Sequence, residues 1–420
     1  MTATATRAVQ VPEAHGRRPR WYWPVVIGGA LLAVSTVRVI TGAHDINSSG
    51  ALSAAIALAM PIVLAGLGGL WSERAGVVNI GLEGMMILGT WGAAFFGFHY
   101  GPWAGILGAV ALGMLGGAIH GLATVIFGVD HIVSGVALNL LGAGAGSFLA
   151  VRTFSNLPGG GPTQSPPITQ LPFLSVPGIG DPLLELEKSR TWLVADIAGV
   201  LRALTTNINA LTIITVGLLV LSWWVLWKTP FGLRVRACGE APHAAETLGV
   251  NVVRLKYLSV LISGACAGLA GGFLVLVASN LYREGQTGGR GYIGLAARIC
   301  GNWRPGGLAA GAMLFGYTDA IQLRGGDQVI HAYLLPIGLF LLGWGIWQIV
   351  RRRAGKPLSG VLPVVSSVLV LAWFALSSAV PPEFTSMTPY IATLLVLAFA
   401  SQRLRMPAAD GRVYRRGEAS

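Results

Sequence analysis

Eight ionisable or amide side chains interrupt long apolar runs in this 420-residue chain: Glu73, Arg74, Asn79, Glu83, His120, Asn139, Arg298 and Asp319. Polar groups inside a bilayer are costly and default to a functional role. Asn79, Glu83 and Asn139 supply donors and acceptors with little net charge, which suits a neutral polar solute. Glu73 and Arg74 stand at the end of an apolar run, where capping is the ordinary role. His120 lies one turn from Gly117 and reads as a helix–helix hydrogen bond rather than a ligand. No run of intramembrane carboxylates forms a proton relay, which speaks against an ion-driven pump acting alone. Catalytic signatures are missing. Gly355-Lys356 is followed by Pro357 and lacks the first glycine of a phosphate-binding loop, and neither a zinc-protease helix motif nor a Gly-x-Ser-x-Gly elbow occurs. His131 with Ser134-Gly135 has no oriented acid partner, so an intramembrane hydrolase is a weak alternative. Cys238, Cys266 and Cys300 are far apart and support neither a disulfide framework nor a metal site.

These residues cluster in two glycine-broken segments, 72–84 and 285–307, one in each half of the chain. The second carries Arg290, Arg298, Asn302 and Arg304 around a short apolar core. Unwound backbone can line a cavity but cannot face lipid, so paired broken segments point to a central transport site. The competing reading makes both of them interfacial turns with ordinary glycines.

The elements that must hold such a site are membrane helices. The chain is 53% hydrophobic and 11% charged, with mean hydropathy +0.65, against about 25% charged residues in soluble domains. Gly is abundant, and Gly113/Gly117/Gly121, Gly142/Gly146 and Gly264/Gly268/Gly272 repeat every four residues, the spacing that lets helix backbones approach closely. The expected fold is all-α and polytopic. About 12 crossings are expected, including the two broken segments, with both termini cytoplasmic. Residues 1–21 form a cytoplasmic tail, 22–404 the transmembrane domain and 405–420 a second cytoplasmic tail. The basic clusters at 17–20, 228–256, 351–356 and 403–416 then all fall on one side. The net charge of +12 is explained by those clusters and does not indicate nucleic acid. Residues 152–209, rich in Pro and Gly, form a long outer loop with a short helix near 190–204. Arg38, near the outer end of the first span, is expected to snorkel.

The polar stretch 228–256 carries five Lys or Arg between two apolar runs. Within it, residues 240–249 have helix-forming Ala and Glu, with Pro242 suited to a first turn and Gly249 to a C-cap. A short helix lying on the cytoplasmic face would fit a groove on a soluble subunit. A solvated basic loop is the alternative by composition.

Four blocks in order resemble a known family: SERAGVVNIGLEGMMILG (72–89), GVDHIVSGVALNLL (128–141), GEAPHAAETLGVNV (239–252) with SGACAGLAGG (263–272), and GRGYIGLAARICGNWRPGG (289–307). They resemble permease subunits of bacterial ABC importers for nucleosides, which are related to ribose-type sugar and branched-chain amino acid permeases. The likeness runs through about 53–322 and resumes at 388–400 and in the tail 411–417. It implies that Glu240, Ala241, Pro242, His243, Ala244, Ala245, Glu246 and Gly249 form the coupling helix that receives an ATPase subunit. It also implies that Asn79, Glu83, Asn139, Tyr292 and Asn302 lie near the translocation path. The partners implied are a cytoplasmic ATP-binding subunit that holds ATP and Mg, a second and non-identical permease, and an extracellular or lipid-anchored solute-binding protein. The setting implied is the bacterial cytoplasmic membrane, with no cofactor or metal in this chain. The first span is extra relative to shorter relatives, and residues 327–382 look like an inserted pair of spans. A ribose-type sugar permease and an ion-coupled secondary transporter are the alternatives.

Overall fold

The structure, a computed structural model, describes residues 22–324, 326–350, 358–381, 383–385, 387–388, 391, 394 and 404–417. The tail 1–21, the basic cluster 351–353 and most of the last expected span, 389–400, lie outside the described residues.

The fold is all-α. Its helices are α1 (Tyr22–Thr41), α2 (Ser49–Arg74), α3 (Leu82–Tyr100), α4 (Pro102–Gly121), α5 (His131–Phe154), α6 (Gly180–Lys188), α7 (Val194–Thr205), α8 (Ala210–Lys228), α9 (Pro230–Glu240), α10 (Pro242–Thr247), α11 (Val252–Phe273), α12 (Arg290–Cys300), α13 (Pro305–Leu323), α14 (Gly326–Val350) and α15 (Leu358–Leu376). The only sheet among the described residues is β1 (Phe173–Leu174) paired antiparallel with β2 (Ile208–Asn209). Among the described residues, six helical stretches are long and apolar enough to cross a membrane: His44–Arg74, Pro102–Ile126, His131–Phe154, Ala210–Lys228, Val252–Ser279 and Gly326–Val350.

Short polar residues at the ends of the apolar runs start the helices. Ser48 Oγ accepts the Ala51 N–H at 3.1 Å at the start of α2. Asp130 Oδ1 accepts from Ile132 and Val133 at 2.9 and 3.0 Å at the start of α5. Asn251 opens α11 in the same way, through the Arg254 N–H at 3.0 Å. Each supplies an acceptor to amides that have no partner in the first turn.

Around the core, α2 and α11 are wrapped by α3, α4, α12 and α13, and the main apolar cluster runs through them. The glycine repeats act as expected. A methyl placed on Gly117 would meet the Val260 carbonyl at 2.7 Å, and one on Gly142 would meet Gly84 Cα at 2.6 Å. These backbones touch, and a side chain would hold them apart. A separate, smaller cluster joins Val37 of α1, Ile321 of α13, and Val329 and Ala332 of α14, while α15 packs on α14. This second layer sits beside the main bundle.

Residues 152–209 and the start of the second broken segment meet at one end of the bundle. Ser165 and Tyr282 exchange hydrogen bonds, and Ile168 donates to the Asn280 carbonyl at 2.8 Å. The expected short helix is α7, preceded by a second helix, α6, that the sequence reading did not contain. Arg38 does not snorkel: it is 4% exposed, with Nε 2.6 Å from Asp196 Oδ1 at the start of α7. Ser35 and Asn47 also donate to the Asp196 carboxylate. A buried carboxylate arriving from the loop satisfies the cation, so the guanidinium has no need to reach water.

Candidate functional site

Both glycine-broken segments are interrupted helices. After α2 ends at Arg74, a turn at 75–76 and the non-helical residues 77–80 lead to the start of α3 inside the bundle. After α11, residues 280–289 lead to α12, and a turn at 301–304 then leads into α13. The first of these connections is pinned by imidazoles. The Val78 N–H donates to His131 Nδ1 at 3.3 Å, and the Val78 carbonyl bonds His120 Nε2 at 3.1 Å. His120 Nδ1 bonds Ser134 Oγ at 2.9 Å. The carbonyl can only accept, so Nε2 carries the proton and Nδ1 accepts from the serine. His120 therefore makes the helix–helix contact expected of it. With a backbone carbonyl as its second partner, it stands in a positioning arrangement and not in a hydrolytic one.

The first turns of α3 and α12 meet through Glu83. The N–H groups of Gly289 and Gly291 donate to Glu83 Oε1 and Oε2 at 3.0 and 2.7 Å. These amides are the positive pole of α12 and have no helical partner, so a buried carboxylate is held there by charge-assisted bonds. The approach needs glycine. Gly289 has φ +76°, and a methyl on Gly291 would lie 2.6 Å from Glu83 Oε2. Asn139 on α5 joins the same group. Its Oδ1 accepts the Gly84 N–H at 2.8 Å, while its Nδ2 donates to the Ile80 carbonyl at 3.1 Å and to Tyr292 Oη at 2.9 Å. Tyr292 is 47% exposed, and beside Asn139 the α5 face carries exposed Val136 and Leu140.

Glu83, Asn139 and Tyr292, far apart in sequence, are thus one constellation. Asn79 stands behind it, fully buried, and donates to Ser263 Oγ of α11 at 2.9 Å. Asn302 is elsewhere. It lies past the far end of α12, where its Oδ1 accepts the Arg405 N–H at 2.8 Å.

That far end has its own buried cluster. Arg298 Nη2 is 2.5 Å from Glu73 Oε1, and the Trp303 indole N–H donates to Glu73 Oε2. Arg74 donates from Nε and Nη2 to the Trp303 carbonyl at 3.1 and 2.7 Å. Glu73 and Arg74 do more than cap a span: they tie the lower ends of the two interrupted segments together. Sequence reasoning missed this pairing because the partners are over 200 positions apart. The one signal was a lone carboxylate and a lone guanidinium in apolar surroundings, each needing a counter-ion.

The 228–256 stretch packs beneath this cluster. Residues 240–249 are not one helix. Glu240 ends α9, Ala241 breaks the chain at φ −148° and ψ 77°, and Pro242 opens α10. A proline first residue loses no helical bond but forces the preceding residue out of helical conformation, which is why the break falls there. Gly249 has φ +82° and donates to the Glu246 carbonyl at 2.8 Å, so it caps as expected. Ala245 is buried against Cys238 and Val252, whereas Ala244 is exposed. Leu248 at the tip of α10 is 84% exposed. It is the apolar residue the sequence reading passed over, and an apolar side chain just before a capping glycine was the available signal.

Apolar helices enclosing a polar site at two interrupted segments define a multi-pass membrane protein of the permease class. The chain matches the family described as the permease component of branched-chain amino acid transport systems over residues 51–343, and it belongs to that family. It is 33% identical over 73% of its length to the guanosine ABC transporter permease protein NupQ of Bacillus subtilis, covering 94% of that protein. It is 34% identical over 88% of its length to the putative glucose ABC transporter permease protein TsgC13 of Haloferax volcanii, covering 98%. To the nucleoside ABC transporter permease protein NupC of Lactococcus lactis it is 29% identical over 84%, covering 92%. No solved structure matches it.

Proposed function

We propose that this chain is the permease subunit of an ATP-driven importer and carries a nucleoside across the bacterial cytoplasmic membrane by alternating access. The observation that carries the reading is the junction of two interrupted helices at Glu83. Both amides of the α12 start are held by one carboxylate, with Asn139 and a half-exposed Tyr292 ring beside it. Asn and Tyr groups can exchange hydrogen bonds with base or ribose, and the exposed ring can stack on a base. The names of the guanosine and nucleoside relatives support the solute class. The glucose relative favours a second reading, a simple sugar. A sugar offers no planar face, so uptake of labelled guanosine competed by adenosine, ribose and glucose separates the two. Competition by glucose or ribose alone would sink the nucleoside assignment.

ATP and Mg belong to a separate ATP-binding subunit, which docks on α10. Leu248 is its apolar anchor, and Ala244 faces the same partner. A second permease closes the site on the exposed α5 face at Val136 and Leu140. A solute-binding protein docks on the α6–α7 cap at the opposite end. The topology has twelve crossings with both termini inside; the meeting of the 228–256 loop, Arg74, Arg298 and residues 404–417 at one end of the bundle supports placing the loop and the C-terminal tail on the same side. The α14–α15 pair and α1 form a side layer that does not line the path.

Closure of the ATPase pair would push α10 and part the two interrupted segments. Parting them frees the Gly289 and Gly291 amides and the Glu83 carboxylate to meet solute. Leu248→Glu tests the docking: the expected result is loss of uptake and of ATP-binding subunit in the purified assembly, with membrane insertion intact. Full uptake by that variant would remove the α10 assignment.

A further inference from the structure

Residues 404–417 contain no helix, yet they touch every part of the energy-input region. On one side lies the α9–α10 region. Ala409 donates its N–H to the Gly239 carbonyl at 2.8 Å, and Ala408 donates its own to Glu240 Oε2 at 3.2 Å. The Tyr414 ring lies 5.3 Å from the His243 ring and closes the small apolar cluster formed by Cys238, Ala245 and Val252. Arg416 Nε is 3.4 Å from Glu246 Oε1.

On the other side lie the interrupted segments. The Arg405 N–H is held by Asn302. A methyl on Gly76 would lie 3.2 Å from the Ala409 carbonyl, and one on Gly411 would lie 3.3 Å from Val78. Asp410 is buried, lies beside the Glu73 carboxyl, and faces Arg298 and Lys256. Lys256, at the start of α11, places its ammonium 5.8 Å from the Tyr414 ring. Nothing about solute recognition requires a terminal segment to bury an aspartate in the Glu73–Arg298 cluster while stacking a tyrosine under α10.

We propose that residues 404–417 are a coupling strap, the length of chain through which movement of α10 reaches the inner ends of both interrupted segments. The proposal rests on α10 being the docking helix. Tyr414 is the end that follows α10, and Asp410 is the end that pulls on the Glu73–Arg298 pair. Packed aromatic and buried polar contacts move as units and do not stretch, which is what a transmission element needs. These are positioning residues, since neither touches solute.

The test uses the full assembly of both permeases, ATP-binding subunit and binding protein in proteoliposomes, with labelled guanosine. Tyr414→Ala and Asp410→Ala should insert and keep the ATP-binding subunit. Guanosine uptake should fall by about tenfold or more for the loss of one packed, partly desolvated aromatic contact. ATP hydrolysis should continue at its basal rate but no longer rise with loaded binding protein. Tyr414→Phe, which keeps the ring, should restore coupling. If Tyr414→Ala fails to insert, Asp410→Ala carries the test with Arg416→Ala. Normal uptake in the strap variants would overturn the proposal. So would loss of the ATP-binding subunit from them, which would make the segment a docking anchor. Leu248→Glu is run in parallel. If it leaves uptake intact, the α10 reading falls; if it abolishes uptake while strap variants transport normally, only the strap falls.

Discussion

Glu83 concentrates most of the site chemistry in one side chain. Its two oxygens satisfy two amides that no other described side chain reaches. Glu83→Gln leaves one acceptor oxygen where two are used and removes the charge. Hydrogen bonds to charged groups contribute about 1.5–3 kcal/mol, so uptake should fall by roughly 10- to 100-fold at unchanged membrane abundance, read from initial rates normalised by immunoblot. Gly291→Ala should be as damaging as the charge change, because its methyl would collide with the same carboxylate. Tyr292 separates positioning from recognition. Tyr292→Phe loses only the Asn139 bond, whereas Tyr292→Ala also loses the ring. The expected result is a modest change for the first and a raised half-saturation concentration for the second. Equal effects would argue that the ring meets no solute.

At the scale of elements, α10 and the strap beside it are the proposed path of the energy input. Burial and the neighbouring Glu73 push the Asp410 carboxyl up to about 8, above the roughly 3.9 of a free aspartate. The folded strap therefore holds a proton that the released strap gives up between those values. Its attachment is strongest below about pH 4, weakens as pH rises toward 8 and then levels off. The ionisable groups that face it are Glu73, Arg298 and Lys256. Hydrogen exchange at the Ala409 amide, bonded to Gly239, should show protection falling across pH 5 to 8 after correction for intrinsic rates. Asp410→Asn should flatten the trend. A wild-type profile independent of pH would refute the protonated strap.

At the scale of the whole molecule, two polar clamps hold the ends of one apolar bundle. Glu73–Arg298 closes one end, and Arg38–Asp196 fastens the 152–209 loop to α1 and α2 at the other. Removing one partner of a buried pair strands the other charge, at a cost of about 3–5 kcal/mol. Asp196→Ala should therefore lower the melting temperature in detergent by several degrees. The double variant Asp196→Ala with Arg38→Met should recover much of the loss. An unchanged melting temperature in the single variant would mean that the cap adds no stability. The α14–α15 pair takes no part in either clamp, and substitutions on its outward faces should leave uptake near normal.

Much of this was legible in the sequence because it is local. Apolar run length and low charge specify membrane helices, Gly spacing marks where backbones meet, Pro242 and Gly249 bracket a short helix, and clustered glycines interrupt residues 72–84 and 285–307. Each follows from backbone propensity or periodicity within a few residues of the chain. What only tertiary structure decided is which polar groups share a partner. Glu83 meets Gly289 and Gly291, Glu73 meets Arg298, and Arg38 is buried by an aspartate from a distant loop. Asn302, grouped by resemblance with the path residues, lies instead at the strap. A buried charge announces that it needs a counter-ion but not where that counter-ion sits, since the distance is closed by packing of helices far apart in the chain. The strap was hidden for the same reason: its polar, proline- and glycine-containing residues have the composition of an ordinary tail, and only their contacts distinguish them.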